Sequence, residues 1–257
     1  MPDLFTFEHF QCYPSLLHTV TTRSSDLPYD FSLALHTGEE PEQIVANRNR
    51  LSRLLGSEAP LHYVVADQTH SDNIRCITRK ETRGWESLSD AIENCDALIT
   101  DLKGVVLNIL TADCVPILLY DKEKEVVAAV HAGWKGTKAQ IVSKTVQKMT
   151  EAYGCNPEEI IAGIAPSIGR CCYEVGKEVA EHFFDTPESL TRRGEKYMLD
   201  LPLINQQQLV KAGVKEENIE MSHTCTACEV DRFFSYRKEQ GCSGRFISMI
   251  GIRNVLS

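Results

Sequence analysis

Three short segments hold residue types able to bind a metal or activate a nucleophile. They are Gln68-Thr69-His70, Thr111-Ala112-Asp113-Cys114 and His131-Ala132-Gly133-Trp134-Lys135-Gly136. Each follows or interrupts an apolar run, so its polar side chains sit where a strand ends and can leave the core for a cleft. The apolar runs 115–120 and 126–130 flank Asp121-Lys122-Glu123-Lys124 and read as a hairpin, which sets Cys114 beside His131. His70 then needs only an adjacent strand to join them. Two imidazoles and one thiolate are three protein ligands with a fourth position open, the ligand count of a catalytic zinc site. Water held at such a position ionises with a pKa of about 7. Spacing alone leaves other readings standing. A lone cysteine in an apolar strand is usually core, and a lone histidine at a strand end is usually a satisfied polar group. Cys114 as nucleophile, His131 as base and His70 as orienter also describe a metal-free hydrolase.

The elements that must position these residues show in the apolar patterning. Strand-like runs occupy 63–66, 97–100, 105–110, 115–120, 126–130, 160–164 and 246–252. Helical spacing marks 41–55, through Ile44, Leu51, Leu54 and Leu55, and 137–153, through Ile141, Val142, Thr145, Val146 and Met149. A helix over 201–212 has Pro202 near its start and Gly213 as its stop, and 174–184 is a further candidate. Between Ala97 and Val130 strand follows strand, which predicts an α+β fold with mixed sheets rather than a doubly wound parallel sheet. No glycine-rich phosphate loop of the dinucleotide or P-loop kind occurs.

The 257 residues carry no repeat, low-complexity tract or linker, and a single domain over 1–257 is the simplest reading. A formal net charge of −9 argues against nucleic acid or an anionic membrane as partner, since both favour a basic face. The first ten residues include Asp3 and Glu8 and lack the apolar centre of a signal peptide. No stretch reaches the roughly 20 apolar residues of a membrane helix. A cytoplasmic protein is expected, and in that setting ten cysteines point to reduced thiols or metal ligands rather than disulfides. Cys225-Thr-Ala-Cys228, with Cys171-Cys172 and Cys242, supplies enough thiols for a second zinc or a redox pair, although reduced buried thiols are the default.

Taken together, the three segments resemble the YfiH-type family, known both as multicopper polyphenol oxidases (the laccase-domain family) and as purine nucleoside phosphorylases. The likeness extends over most of the chain. It includes His18-Thr19-Val20-Thr21-Thr22-Arg23, Asn47-Arg48, Ala165-Pro166-Ser167-Ile168-Gly169, Cys171-Cys172-Tyr173-Glu174-Val175-Gly176, Asp200-Leu201-Pro202 and Phe233-Phe234-Ser235-Tyr236-Arg237. Cys228 is outside the family pattern. Ser24-Ser25 stands where the family usually has Gly-Gly, Ser32-Leu33-Ala34-Leu35 where it has Ser-Leu-Asn-Leu, and Lys135 where Arg is common.

The resemblance implies an α/β/β/α sandwich, with mixed sheets packed between helices. It implies zinc, with copper as the alternative metal, held by His70, Cys114 and His131. It also implies phosphorolysis of adenosine, inosine, guanosine and methylthioadenosine to the base and ribose 1-phosphate or its methylthio analogue, together with adenosine deamination. Purine nucleosides and phosphate are thus the expected partners of a monomer or weak homodimer.

Zinc deaminases carry their proton on a glutamate in His-x-Glu. Gly133 occupies that position here, so Asp113 is the nearest acidic candidate, either as proton carrier or as a partner orienting a histidine. Arg23, Lys135 and Arg245 are candidates for phosphate, with backbone N–H groups near Gly169, and Gln68 for a substrate contact. Tyr173 and Phe234 are candidates to stack on a purine. Each of these equally fits an ordinary surface or core role. A His₂Cys set also resembles a blue-copper site, but multicopper chemistry needs several metal sites, and the eight histidines here are scattered. A non-catalytic interaction role has little support in an acidic chain without repeats.

Overall fold

The computed structural model describes residues 2–57, 59–241 and 243–254. Its strands are β1 (Leu4–Phe5), β2 (Leu16–Thr21), β3 (His62–Val65), β4 (Ile74–Cys76), β5 (Ala97–Thr100), β6 (Val105–Thr111), β7 (Val115–Asp121), β8 (Val126–Ala132), β9 (Ile160–Ile164), β10 (Glu174–Val175), β11 (Leu190–Arg193), β12 (Lys196–Leu199), β13 (Ile219–Met221) and β14 (Phe246–Ile252). The α-helices are α1 (Glu8–Gln11), α2 (Pro41–Leu55), α3 (Trp134–Lys138), α4 (Ile141–Tyr153), α5 (Lys177–Ala180) and α6 (Leu201–Lys211). One sheet runs β1-β2-β14-β6-β3, a second β13-β9-β7-β8-β5-β4, and a small third β10-β12-β11. Both large sheets are mixed: β3 runs parallel to β6 while β14 runs antiparallel to it, and β13 runs parallel to β9 while β7 runs antiparallel to it.

Three apolar layers order the sheets and helices. Val64, Leu107, Ile109 and Ile250 of the first sheet meet Leu98, Leu118, Tyr120, Val127 and Ala129 of the second. On the far side of the second sheet, Val126, Ala128 and Val130 pack under Val142, Val146 and Met149 of α4 and Ile204 and Leu209 of α6. On the far side of the first, Val65, Val106 and Met249 pack with Leu51 of α2. This is the α/β/β/α sandwich, an α+β fold. Covered on both faces, the inner strands β6, β7 and β8 are buried along their whole length, so they read as largely apolar runs rather than as alternation, with Asn108 inside β6 and Thr111, Asp121 and His131 at or near the strand ends.

The hairpin is present. β7 and β8 pair antiparallel, with Val115 opposite Ala132 and Pro116 opposite His131. His70, however, does not come from a strand adjacent to that hairpin. Its strand β3 is hydrogen-bonded to β6 in the other sheet, so the three residues meet across the space between sheets. The helix expected over 137–153 is two helices, α3 and α4, broken where Gln140 takes φ 60°. The one expected over 174–184 splits into β10, the short α5 and a 3₁₀ turn. Among the described residues no helix is long and apolar enough to cross a membrane.

Candidate metal centre

Strand parity aims His131. Along β8, Val126, Ala128, Val130 and Ala132 face the helices, whereas Val127 and Ala129 face the other sheet. His131 therefore turns inward, between the sheets, and a slip of one residue would point it at the helices instead. Cys114 sits on the short segment that leaves β6 in one sheet and enters β7 in the other. The crossing needs a sharp turn, which Asp113 makes at φ 94°. So high a φ is strained for any residue but glycine and persists only where neighbours hold it. Here Asp113 accepts Ile168 N–H on its carbonyl at 2.9 Å, and its carboxylate accepts the Thr226 hydroxyl at 2.7 Å and Arg237 N–H at 2.6 Å. His70 reaches the site from the loop after β3, also with positive φ, 59°.

The ligand atoms of His70, Cys114 and His131 lie within 4.8 Å of one another. His70 Nε2 is 3.9 Å from Cys114 Sγ. A tetrahedral zinc with ordinary bond lengths would set those two atoms roughly 3.6 Å apart. Gly133 leaves room for the group: a Cβ there would stand 3.1 Å from both Cys114 Sγ and His70 Cδ2. His131 is buried, Cys114 half-buried and His70 exposed, so the centre has a protected side and a side open to solvent.

Asp96 organises two of the three ligands and was not singled out from the sequence. It is fully buried just before β5, whose register with β8 sets it across from His131. Its Oδ1 lies 2.7 Å from His131 Nδ1, and its backbone carbonyl accepts His131 N–H at 2.7 Å. With Nδ1 engaged, Nε2 is left to face the metal position. The same carboxylate accepts N–H of His70 at 3.1 Å, and N–H and Oγ–H of Ser71 at 2.7 and 2.6 Å, which fixes the backbone that presents His70. The signal that could have found it is an acidic residue immediately before a buried strand that pairs with the histidine's own. Burial alone would raise the Asp96 carboxyl, but His131 and Ser71 outweigh it and hold it at about 2. Burial likewise opposes the Cys114 thiolate, but His131 and His70 bring the thiol down to about 6. Burial opposes the charged His131 ring, while Cys114 and Asp96 raise it to about 9. The thiolate that a metal requires is thus favoured already.

The other expected residues divide. Asp113 orients no histidine, because its carboxylate is taken by Thr226 and Arg237; Asp96 does the orienting. Arg23 is committed to Asp30 at 2.6 Å and Glu239 at 2.8 Å. Gln68 clamps the Leu110 backbone, donating to its carbonyl and accepting its N–H, each at 2.8 Å. Gly169 N–H goes to Cys225 Sγ at 3.2 Å. Phe234 is core between the sheets. Arg48 is buried and donates to the carbonyls of Leu33, Gly84 and Trp85, and burial lowers it to about 10. Asp200 caps α6 through Leu203 N–H at 3.1 Å. Lys135 is exposed four positions beyond His131, its Nζ 5.7 Å from the Trp134 ring. Arg245 lies near enough to Cys114 and Asp113 to feel their charge, and burial lowers its pKa. Tyr173 is half-buried under the guanidinium of Arg237, 5.2 Å away.

Known proteins resemble this chain over most of its length. The profile described as "Multi-copper polyphenol oxidoreductase laccase" matches residues 17–253. A purine nucleoside phosphorylase of Bacteroides thetaiotaomicron is 37% identical, over 96% of this chain and 95% of that protein. A protein named adenosine deaminase RL5, from an unknown prokaryotic organism, is 36% identical over 83% of this chain and 84% of that one. The crystal structure of the hypothetical protein YfiH of Bacillus licheniformis superposes with a TM-score of 0.91 at 33% identity, covering 98% and 97% of the two chains. Its relatives are named as enzymes, and the chain belongs to the multi-copper polyphenol oxidoreductase laccase family, in its YfiH-type branch.

Proposed function

We propose that this protein is a zinc enzyme of purine nucleosides. It splits adenosine, inosine, guanosine or methylthioadenosine with phosphate, and it also deaminates adenosine. The carrying observation is the convergence of His70, Cys114 and His131 on one point, with Asp96 locking the ring of His131 and the backbone of His70. The names of the relatives favour purine nucleosides as the substrate class. A zinc held by His70, Cys114 and His131 would supply Lewis acidity to a bound substrate or water. The protein supplies the rest. Its buried side excludes water from behind His131, and its open side beside His70 admits a nucleoside. Arg245 and Lys135 are the cations assigned to phosphate. Tyr173, half-buried beside Arg237, is the ring assigned to the purine.

The assay is adenosine with and without phosphate. Adenine that forms only with phosphate supports phosphorolysis, and inosine formed without it supports deamination; absence of both refutes the nucleoside reading. The family description and the His₂Cys donors favour copper polyphenol oxidation as a second reading. It predicts oxidation of a phenolic dye after copper loading and none with zinc. A Cys114–His131 hydrolase would keep its activity under full chelation.

A further inference from the structure

Four thiols outside this site converge where two loops leave neighbouring strands. The loop after β9 carries Cys171 and Cys172, and the loop after β13 carries Cys225 and Cys228. Because β9 and β13 are parallel partners, both loops leave the same end of the sheet. Backbone bonds then zip them together: Ser167 N–H to Thr224 O at 3.2 Å and Thr226 N–H to Ser167 O at 3.0 Å.

The four sulfurs all lie within 4.8 Å of one another. Cys228 Sγ stands 3.5 Å from both Cys171 Sγ and Cys172 Sγ. A disulfide needs about 2.0 Å. One zinc held tetrahedrally by four thiolates, at about 2.3 Å each, spaces its sulfurs roughly 3.8 Å apart. The observed distances match the second case. Cys225 Sγ accepts Gly169 N–H at 3.2 Å, which fixes that sulfur against the other loop. A Cβ on Gly169 would stand 3.3 Å from Cys225 Cβ and 3.4 Å from Cys171 Sγ, so the missing side chain lets the loops close.

We propose that Cys171, Cys172, Cys225 and Cys228 form a second zinc site, with four sulfur ligands and no open position. Four soft thiolates select zinc or iron–sulfur centres. An iron–sulfur cluster holds its cysteines farther apart than a single ion does, and the spacing here suits a single ion. The site is structural. It ties the Cys225–Cys228 turn, whose Thr226 holds Asp113, next to Cys114. Cys242 lies outside the described residues and is not needed for the count. The proposal goes beyond the nucleoside reading and does not depend on it.

The experiment measures zinc per chain in protein purified under reducing conditions. Two zincs are expected in the parent, one in Cys171→Ser/Cys228→Ser and one in Cys114→Ala. Cobalt-loaded parent protein is expected to show the thiolate charge-transfer absorption of an S₄ site, and Cys114→Ala should keep it. Because that spectrum needs neither serine substitution, misfolding of the double variant leaves the test standing. A parent with one zinc, lost in Cys114→Ala, overturns the proposal, as does a metal-free parent with a disulfide among the four thiols. One zinc that survives Cys114→Ala but not the serine variant upholds this site and removes the metal from the nucleoside reading.

Discussion

His70, Cys114 and His131 arrive from strand ends in two sheets, whereas the four cysteines sit on two loops that leave adjacent strands of one sheet. The first set mixes imidazole with thiolate, stops at three ligands and has one exposed member. The second is all sulfur and complete at four. Ligand number separates the roles: three leave room for substrate, and four close the ion off from it. The supports differ as well. Asp96, a buried carboxylate, fixes the imidazole set, while backbone N–H groups and a glycine shape the thiolate set. The two regions meet at Asp113, whose carboxylate accepts the Thr226 hydroxyl and whose carbonyl accepts Ile168 N–H from the other cysteine loop.

The sharpest way to break this contrast is brief chelation. It should strip the open site and abolish adenosine turnover while the S₄ zinc remains, as metal analysis after desalting would show. Equal loss of both ions would mean that the sites do not differ in the way their ligands suggest. Asp96→Asn comes next. Loss of a partner that orients a ligand costs about 10–100-fold in metal affinity, so competition with a chelator should show that loss at the open site and none at the S₄ site. Thr226→Val is smaller and tests the connection. Leaving the buried Asp113 carboxylate one donor short costs about 1–3 kcal/mol, which urea denaturation would register. Both zincs should remain, and loss of the open-site zinc would show that the regions are one cooperative unit. The smallest effect marks the edge of the open site. Arg245→Gln should raise the KM for phosphate and Arg23→Gln should leave it unchanged, because Asp30 and Glu239 already occupy that guanidinium. A rise in both would return Arg23 to the phosphate site.

Strands buried on both faces were the easiest elements to find. β6, β7 and β8 are largely apolar and buried throughout; the runs read at 105–110, 115–120 and 126–130 begin where the strands begin and end one or two residues short of them. β2 is not marked in the sequence because Leu-Leu-His-Thr-Val-Thr mixes polar residues into a buried strand and shows neither alternation nor an apolar run. The break between α3 and α4 falls at Gln140, where neither glycine nor proline marks the left-handed residue. In the site, hairpin logic is local and paired Cys114 with His131 correctly. The meeting with His70 depends on how two sheets stack, which no periodicity encodes. Asp96 was hidden for the same reason: its importance comes from the β5–β8 register, and an acidic residue ahead of a strand is common. Arg23 and Gln68 find their partners, Asp30, Glu239 and Leu110, only through folding, so no local pattern shows that those side chains are already engaged.

The central claim is that the chemistry happens on a metal held by His70, Cys114 and His131. Its most direct test is Cys114→Ala, with zinc content and adenosine turnover measured on the same folded sample beside the parent. This variant should lose one zinc and all adenine and inosine formation while its thermal unfolding remains cooperative. A variant that keeps the parent's full zinc content, or turns over adenosine at the parental rate, would contradict it.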